Sequence, residues 1–154
     1  MKHKTAYWCV LAVAVGLLVF AGVSFSAAPH KATGGVGFTA YDLDRRIDFT
    51  AHEAYDEHPA KGNLHYSDAN HDWYDVDVTC VTIVNEWAFF SGPVLRASQD
   101  GWVGQWVLIA VFDGGTPGRK GDKVWGTFAS SDPGCQPFRP PVMFDVTNGN
   151  LQVQ

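Results

Sequence analysis

After position 35, no stretch of eleven residues sustains a helical apolar period, so helices are not expected to build the fold. Glutamate is scarce, with only Glu53, Glu57 and Glu86 in 154 residues. Glycoside hydrolysis wants two carboxylates facing each other across a cleft, and the aspartates, though many, cluster in turns. The chain has no Gly-x-Ser-x-Gly nucleophile elbow. The Gly-rich stretch from Asp113 to Asp122 lacks the Lys-Ser or Lys-Thr ending and following helix of a phosphate loop, and reads as a hairpin loop whose ends Asp113 and Asp122 tie together by accepting backbone hydrogen bonds. Basic residues are few, 11 Lys plus Arg against 16 Asp plus Glu. An acidic surface without a basic stripe repels phosphate backbones, which argues against nucleic acid as a partner.

What is present begins with an export signal. Lys2 and Lys4 precede an uncharged stretch with an apolar heart at residues 8–23, followed by small residues at Ser24, Ser26, Ala27 and Ala28. A basic start, an apolar middle and small residues before a boundary are the parts of a secretory signal, so residues 1–26 are expected to be removed. The rival is an uncleaved anchor, the single way this chain would touch a membrane, because the stretch is long enough to span a bilayer. Either way the rest is expected to be secreted or extracytoplasmic, at the cell surface or in a periplasm. Without residues 1–26 the chain carries 9 basic and 16 acidic side chains, a net charge of −7 with histidine neutral. Residues 27–35 read as a short leader, and residues 36–154 as a single domain, enough for one core.

Cysteine is also sparse. Cys9 leaves with the signal, so Cys80 and Cys135 are an even pair in an oxidising compartment. Their disulfide would close a 55-residue loop, worth roughly 4 kcal/mol in the chain-entropy model.

Eight short apolar runs follow one another between turns rich in Gly, Pro, Asn and Asp: 36–40, 47–51, 64–66, 74–84, 87–95, 106–112, 124–128 and 151–153. This spacing predicts an all-β fold of about eight antiparallel strands, either a β-sandwich or a squat β-barrel. In the fourth run Tyr74, Val76, Val78 and Cys80 face one way, and Asp75, Asp77 and Thr79 the other. An Asn85-Glu86 turn leads into the return arm of a hairpin. The sixth run is apolar on both faces, with Trp106, Leu108, Ala110 and Phe112 opposite Val107, Ile109 and Val111. Such a strand needs cover on both sides: a core on one, and a loop, partner chain or ligand on the other. Residues 131–141 hold four prolines and are loop, because proline cannot donate to a ladder.

Several of these segments resemble a group of uncharacterised secreted bacterial β-domain proteins related to the post-COAP type of domain. The resemblance rests on Pro59 with Gly62, Leu64 and Tyr66; Val78-Thr-Cys80-Val81 with Ile83; and Ala88 with Phe90 and Gly92. Its most distinctive parts are Asp113-Gly-Gly115-Thr-Pro117-Gly118 with Gly121-Asp122 and Val124, and the closing Gly149-Asn150-Leu151 with Val153. It implies a secreted sandwich-like or barrel-like fold with a second cysteine in the late Pro-rich loop, and it implies no activity. The chain departs from it in residues 52–58 and 68–77, rich in His and acid, and in its five tryptophans after the signal.

Three constellations are candidates for chemistry. Asp68, Asn70 and Asp72 stand at alternate positions, the spacing with which calcium loops begin, and Asp75 and Asp77 follow. Trp73 stands where an EF-hand needs Gly and Thr79 where it needs Glu, so calcium, the one cofactor the sequence suggests, would sit in a looser β-loop. His52, His58, His65 and His71 would have to converge from neighbouring strands to hold a transition metal. Among the tryptophans, Trp106 is expected in the core, while Trp73 and Trp102 lie beside polar turns and are the expected ligand-binding pair, able to stack on sugar rings. The leading expectation is therefore a non-catalytic surface or secreted binding or structural module, with a glycan or surface protein as partner. A calcium-stabilised structural domain is the second reading and a small hydrolase the third.

Overall fold

The computed structural model describes residues 29–115 and 120–154. The signal segment expected at 1–26 and part of the 113–122 loop lie outside these described residues. Nine strands form in chain order: β1 (Lys31–Ala40), β2 (Leu43–His52), β3 (Lys61–Asp68), β4 (Trp73–Val78), β5 (Cys80–Val84), β6 (Trp87–Ala97), β7 (Trp106–Phe112), β8 (Lys123–Ala129) and β9 (Phe144–Val153). Each predicted apolar run lies in one of them except 74–84, which is divided between β4 and β5 at Thr79. β1 starts at Lys31, within the stretch read as a leader, because Ala32 is fully buried and its ladder to β2 runs from Lys31↔His52 to Ala40↔Leu43.

Neighbouring strands are antiparallel and follow the order of the chain, and β1 pairs with β9 while β4 pairs with β6. The result is a closed eight-strand up-and-down barrel, with β5 an extension of β4 along the same partner strand β6. Both sandwich and barrel satisfy the sequence alternation; the β1–β9 ladder makes this one a barrel. At this strand number the interior is just wide enough for side chains to fill. Val36, Ile47, Leu64, Val78, Phe90, Val94, Val107, Val111 and Val124 do so at 2% exposure or less.

One irregularity reverses the face assigned to Cys80. Tyr74, Val76 and Val78 point inward as expected, but Val81 is also in the interior cluster while Cys80 packs against an outer one. The register explains this. Val76 stands opposite Val94 and Cys80 opposite Ser91, so four residues of one strand match three of the other across Thr79. One extra residue turns every later side chain over. Gly92 sits against this point; a Cβ there would collide with the Asp77 carbonyl, so only glycine allows the close approach.

Turned outward, Cys80 meets Cys135, with Cα atoms 5.7 Å apart. The disulfide holds the Pro-rich segment against the outer face of β6, β7 and β8. There Phe89 and Ala110 are buried, with Trp87, Trp125 and Phe138 packed around them. Phe138 lies 5.4 Å from Phe89 and 5.2 Å from Trp125, between ring centres. This loop is the second cover that β7 requires. Trp106 is not in the core: the inward phase of β7 belongs to Val107, Ile109 and Val111, so Trp106 is half-buried on the outer side.

Replacing Cys80 and Cys135 together by Ser should lower unfolding stability by about 4 kcal/mol, less whatever order the reduced chain keeps. A denaturant midpoint measures it. Emission from Trp87 and Trp125 should shift to the red as the loop lifts, while the far-ultraviolet signal of the barrel stays.

Candidate functional site

Four connections meet at one end of the barrel: the β1–β2 turn, the β3–β4 turn, the β6–β7 link and the long β8–β9 loop. Aspartates build two of them. Asp68 Oδ1 accepts the backbone N–H groups of Asn70 (2.9 Å) and Asp72 (3.2 Å), closing the β3–β4 turn. Asp72 Oδ1 in turn accepts hydrogen bonds from Ser98 Oγ (3.0 Å) and Gln99 Nε2 (2.9 Å), which ties the β6–β7 link to that turn. The link winds into a short 3-10 turn, Asp100–Trp102, and sets the Trp102 ring over the barrel end.

Between these turns lies a cup of about 320 Å³. It exists because β9 starts only at Phe144 and pairs with β8 just at Lys123 and Val124. Gly126, Thr127 and Phe128 of β8, paired with β7 on one side, therefore line an opening on the side where β9 is missing. The cup is aromatic. Tyr66 and Tyr74 stack with ring centres 4.5 Å apart and 10° between planes. Trp102 stands edge-on to Tyr74 at 5.9 Å, and Phe128 lies 5.2 Å from Tyr74 and 5.5 Å from Trp102. A narrow extension of about 70 Å³ continues inward past Arg45 toward Ile109 and Val124.

Arg45 is the cationic residue of this cup, placed there because it continues the inward row of Ile47, Phe49 and Ala51 on β2. Its Nε is buried and has no hydrogen-bond partner among the described residues. Both tyrosines hold their protons well above the ordinary phenol range. For Tyr66 burial is the main cause, opposed by Arg45 and reinforced by the hydrogen bond to Asp68. For Tyr74 burial again leads, with Tyr66 adding to it. The cup is therefore lined by ring faces, phenol hydroxyls and the Arg45 guanidinium.

A wider, shallower cleft of about 750 Å³ lies on the outer face of β3, β4 and β6. Asp75 organises it, binding His65 Nδ1 through Oδ1 at 2.7 Å and Arg96 Nη2 through Oδ2 at 2.8 Å. Trp73 stacks on His65 at 6.3 Å.

The residues singled out in the sequence are divided between these places. Asp68, Asn70, Asp72 and Trp102 line the cup; Trp73 and Asp75 line the outer cleft, and Asp77 is exposed beyond it. The two tryptophans thus stand on opposite sides of the β3–β4 turn. His65 and His71 share the outer cleft, whereas His52 ends β2 at the far end of the barrel. Among the described residues no three His, Cys, Asp or Glu side chains are grouped to hold a metal ion. Sequence reading missed Arg45 and Phe128. The available signal was a charge inside the inward alternation of β2.

At the opposite end, Asp113 and Asp122 do clasp their loop. Asp122 Oδ1 accepts Gly114 N–H at 3.0 Å, and Asp113 accepts Gly115 N–H at 2.8 Å and Val153 N–H at 2.9 Å. Asp122 is 1% exposed, its Oδ2 is unbonded, and burial, with Asp113 nearby, raises its pKa. A raised carboxyl pKa favours the folded state below the ordinary value and loses that advantage as pH climbs through the raised one. The stability of Asp122→Asn relative to the natural chain should therefore improve as pH rises from below 3.8 to neutrality, in paired thermal melts. A pH-independent gap would show that Asp122 titrates normally. Compared with protein-family profiles, characterised proteins and solved structures, the chain matches none.

Proposed function

We propose that this protein is an exported, non-catalytic binding module, and that its ligand is a sugar ring seated in the aromatic cup. The observation that carries the reading is Arg45, a cation whose buried Nε has no hydrogen-bond partner among the described residues, lining a cup walled by Tyr66, Tyr74, Trp102 and Phe128. A sugar ring has apolar C–H faces that pack on aromatic rings and an oxygen-rich edge that accepts hydrogen bonds. A buried donor without an acceptor costs about 1–3 kcal/mol, a cost that a ligand oxygen would remove.

The carboxylates at the mouth are construction members rather than acids or bases. Asp68 accepts two backbone N–H groups and the Tyr66 hydroxyl, and Asp72 accepts two side-chain donors. Export is supported by the Cys80–Cys135 pairing, which persists in oxidising compartments. No helix among the described residues is long and apolar enough to cross a membrane.

The test is a tryptophan-fluorescence and calorimetric titration of the disulfide-intact protein with glucose, galactose, mannose, N-acetylglucosamine and glucuronate. A single ring of about 12 non-hydrogen atoms at about 0.3 kcal/mol each gives about 4 kcal/mol, a millimolar Kd. Arg45→Met should weaken that binding at least about tenfold, since a charged hydrogen bond is worth about 1.5–3 kcal/mol. The same change should leave the melting point equal or higher, because it removes an unsatisfied buried donor. Trp102→Ala should weaken binding comparably. Silence from all five sugars would overturn the reading, and binding indifferent to both variants would place the ligand elsewhere.

A further inference from the structure

We infer that the ligand is an oligosaccharide that straddles the β3–β4 turn, with one ring in the cup and the next in the outer cleft against Trp73. This rests on the reading of the cup as a sugar site.

The two concavities share a wall. Asp68 lines both, because it ends β3 at the point where the inward row (Tyr66, Asp68) and the outward row (His65, Ser67) reach the turn. A ligand leaving the cup over this turn enters the outer cleft without crossing another strand. The cup itself lies at the small end of the range for ligand pockets, room for a single ring. A single ring there binds weakly by the atom count given above, and more affinity requires more contact than the cup offers.

The outer cleft has the parts of a second subsite, and they are held in place. The Trp73 ring is stacked on His65. Its backbone is fixed on both sides to Ser98: the Trp73 N–H donates to Ser98 Oγ at 3.1 Å, and the Trp73 carbonyl accepts Ser98 N–H at 2.8 Å. Asp75 holds His65 by Nδ1, which leaves Nε2 as the nitrogen available to a ligand. It also holds one end of the Arg96 guanidinium, whose side chain is 76% exposed and offers its other N–H groups to the cleft. A preformed ring face flanked by donors costs little ordering on binding. The same Ser98–Asp72 linkage that anchors Trp73 also sets the loop carrying Trp102, so the two platforms are positioned by one hydrogen-bonded unit.

The test measures affinity against chain length, by calorimetry and by ligand-observed NMR, with oligomers of one to four rings built from each sugar of the panel above. Expected is a gain of tenfold or more from one ring to two or three, then a plateau. Trp73→Ala should bring the oligomer's affinity down to the monosaccharide's and leave the monosaccharide's own affinity unchanged. Arg96→Gln, a change at an exposed side chain that should not disturb folding, is expected to weaken oligomer binding a few-fold and monosaccharide binding not at all. Equal affinity for one ring and several would overturn this inference and leave the cup reading standing. So would a Trp73→Ala change that weakens monosaccharide and oligomer alike. No binding by any member would overturn the cup reading and this inference together.

Discussion

A β-strand gives each face of a sheet every second residue, so an extra residue between Val78 and Cys80 turns the remainder of that strand over. In this barrel much follows from that turn. It carries Cys80 to the outside, where the disulfide draws residues 130–143 across β6, β7 and β8. With that segment committed to the outer wall, β9 begins late and covers only the first two residues of β8. The uncovered half of β8 becomes the lip of the cup. Staple, outer hydrophobic cluster and opening are consequences of one bulge. Gly92, whose missing side chain lets β6 approach there, is part of the same device.

Electrostatics divides the barrel by its ends. At the mouth, carboxylates are spent on geometry, Asp68 on its own turn and Asp72 on the neighbouring link, and the group left unsatisfied is cationic, Arg45. At the far end the unsatisfied group is a buried carboxyl, Asp122, beside Asp113. A buried unbonded donor is relieved by an acceptor brought by a ligand; a buried carboxyl is relieved by a proton. The two ends therefore differ in kind, the one suited to recognition and the other to holding a loop and the chain end together.

The strands were legible because period-two alternation follows from the geometry of the extended chain and does not depend on what the strand packs against. Turn residues were legible for a similar reason: Asn85 adopts a left-handed conformation that it tolerates well, and Asp68, Asp113 and Asp122 accept backbone hydrogen bonds close by in sequence. The pairing of Cys80 with Cys135 followed from there being two cysteines after the apolar leader. The cup was legible only in part. Trp102, Asp68, Asn70 and Asp72 drew notice as an aromatic beside a turn and as a polar series, whereas Phe128 read as an ordinary strand residue and Arg45 fell just before the second run.

What the sequence by itself determined is the local: an all-β chain, its turns, the pattern of charge and hydropathy at the start, and one even cysteine pair. What only the tertiary structure decided is non-local. Barrel rather than sandwich depends on whether Lys31–Ala40 finds Phe144–Val153, and alternation is the same in both. The outward face of Cys80 depends on register against β6, the half-buried outer position of Trp106 on which face of β7 meets the interior, and the separation of Trp73 from Trp102 on the turn between them. Each is a relation between strands far apart in the chain. Periodicity records that a side chain needs cover, and only the folded barrel supplies the partner that covers it.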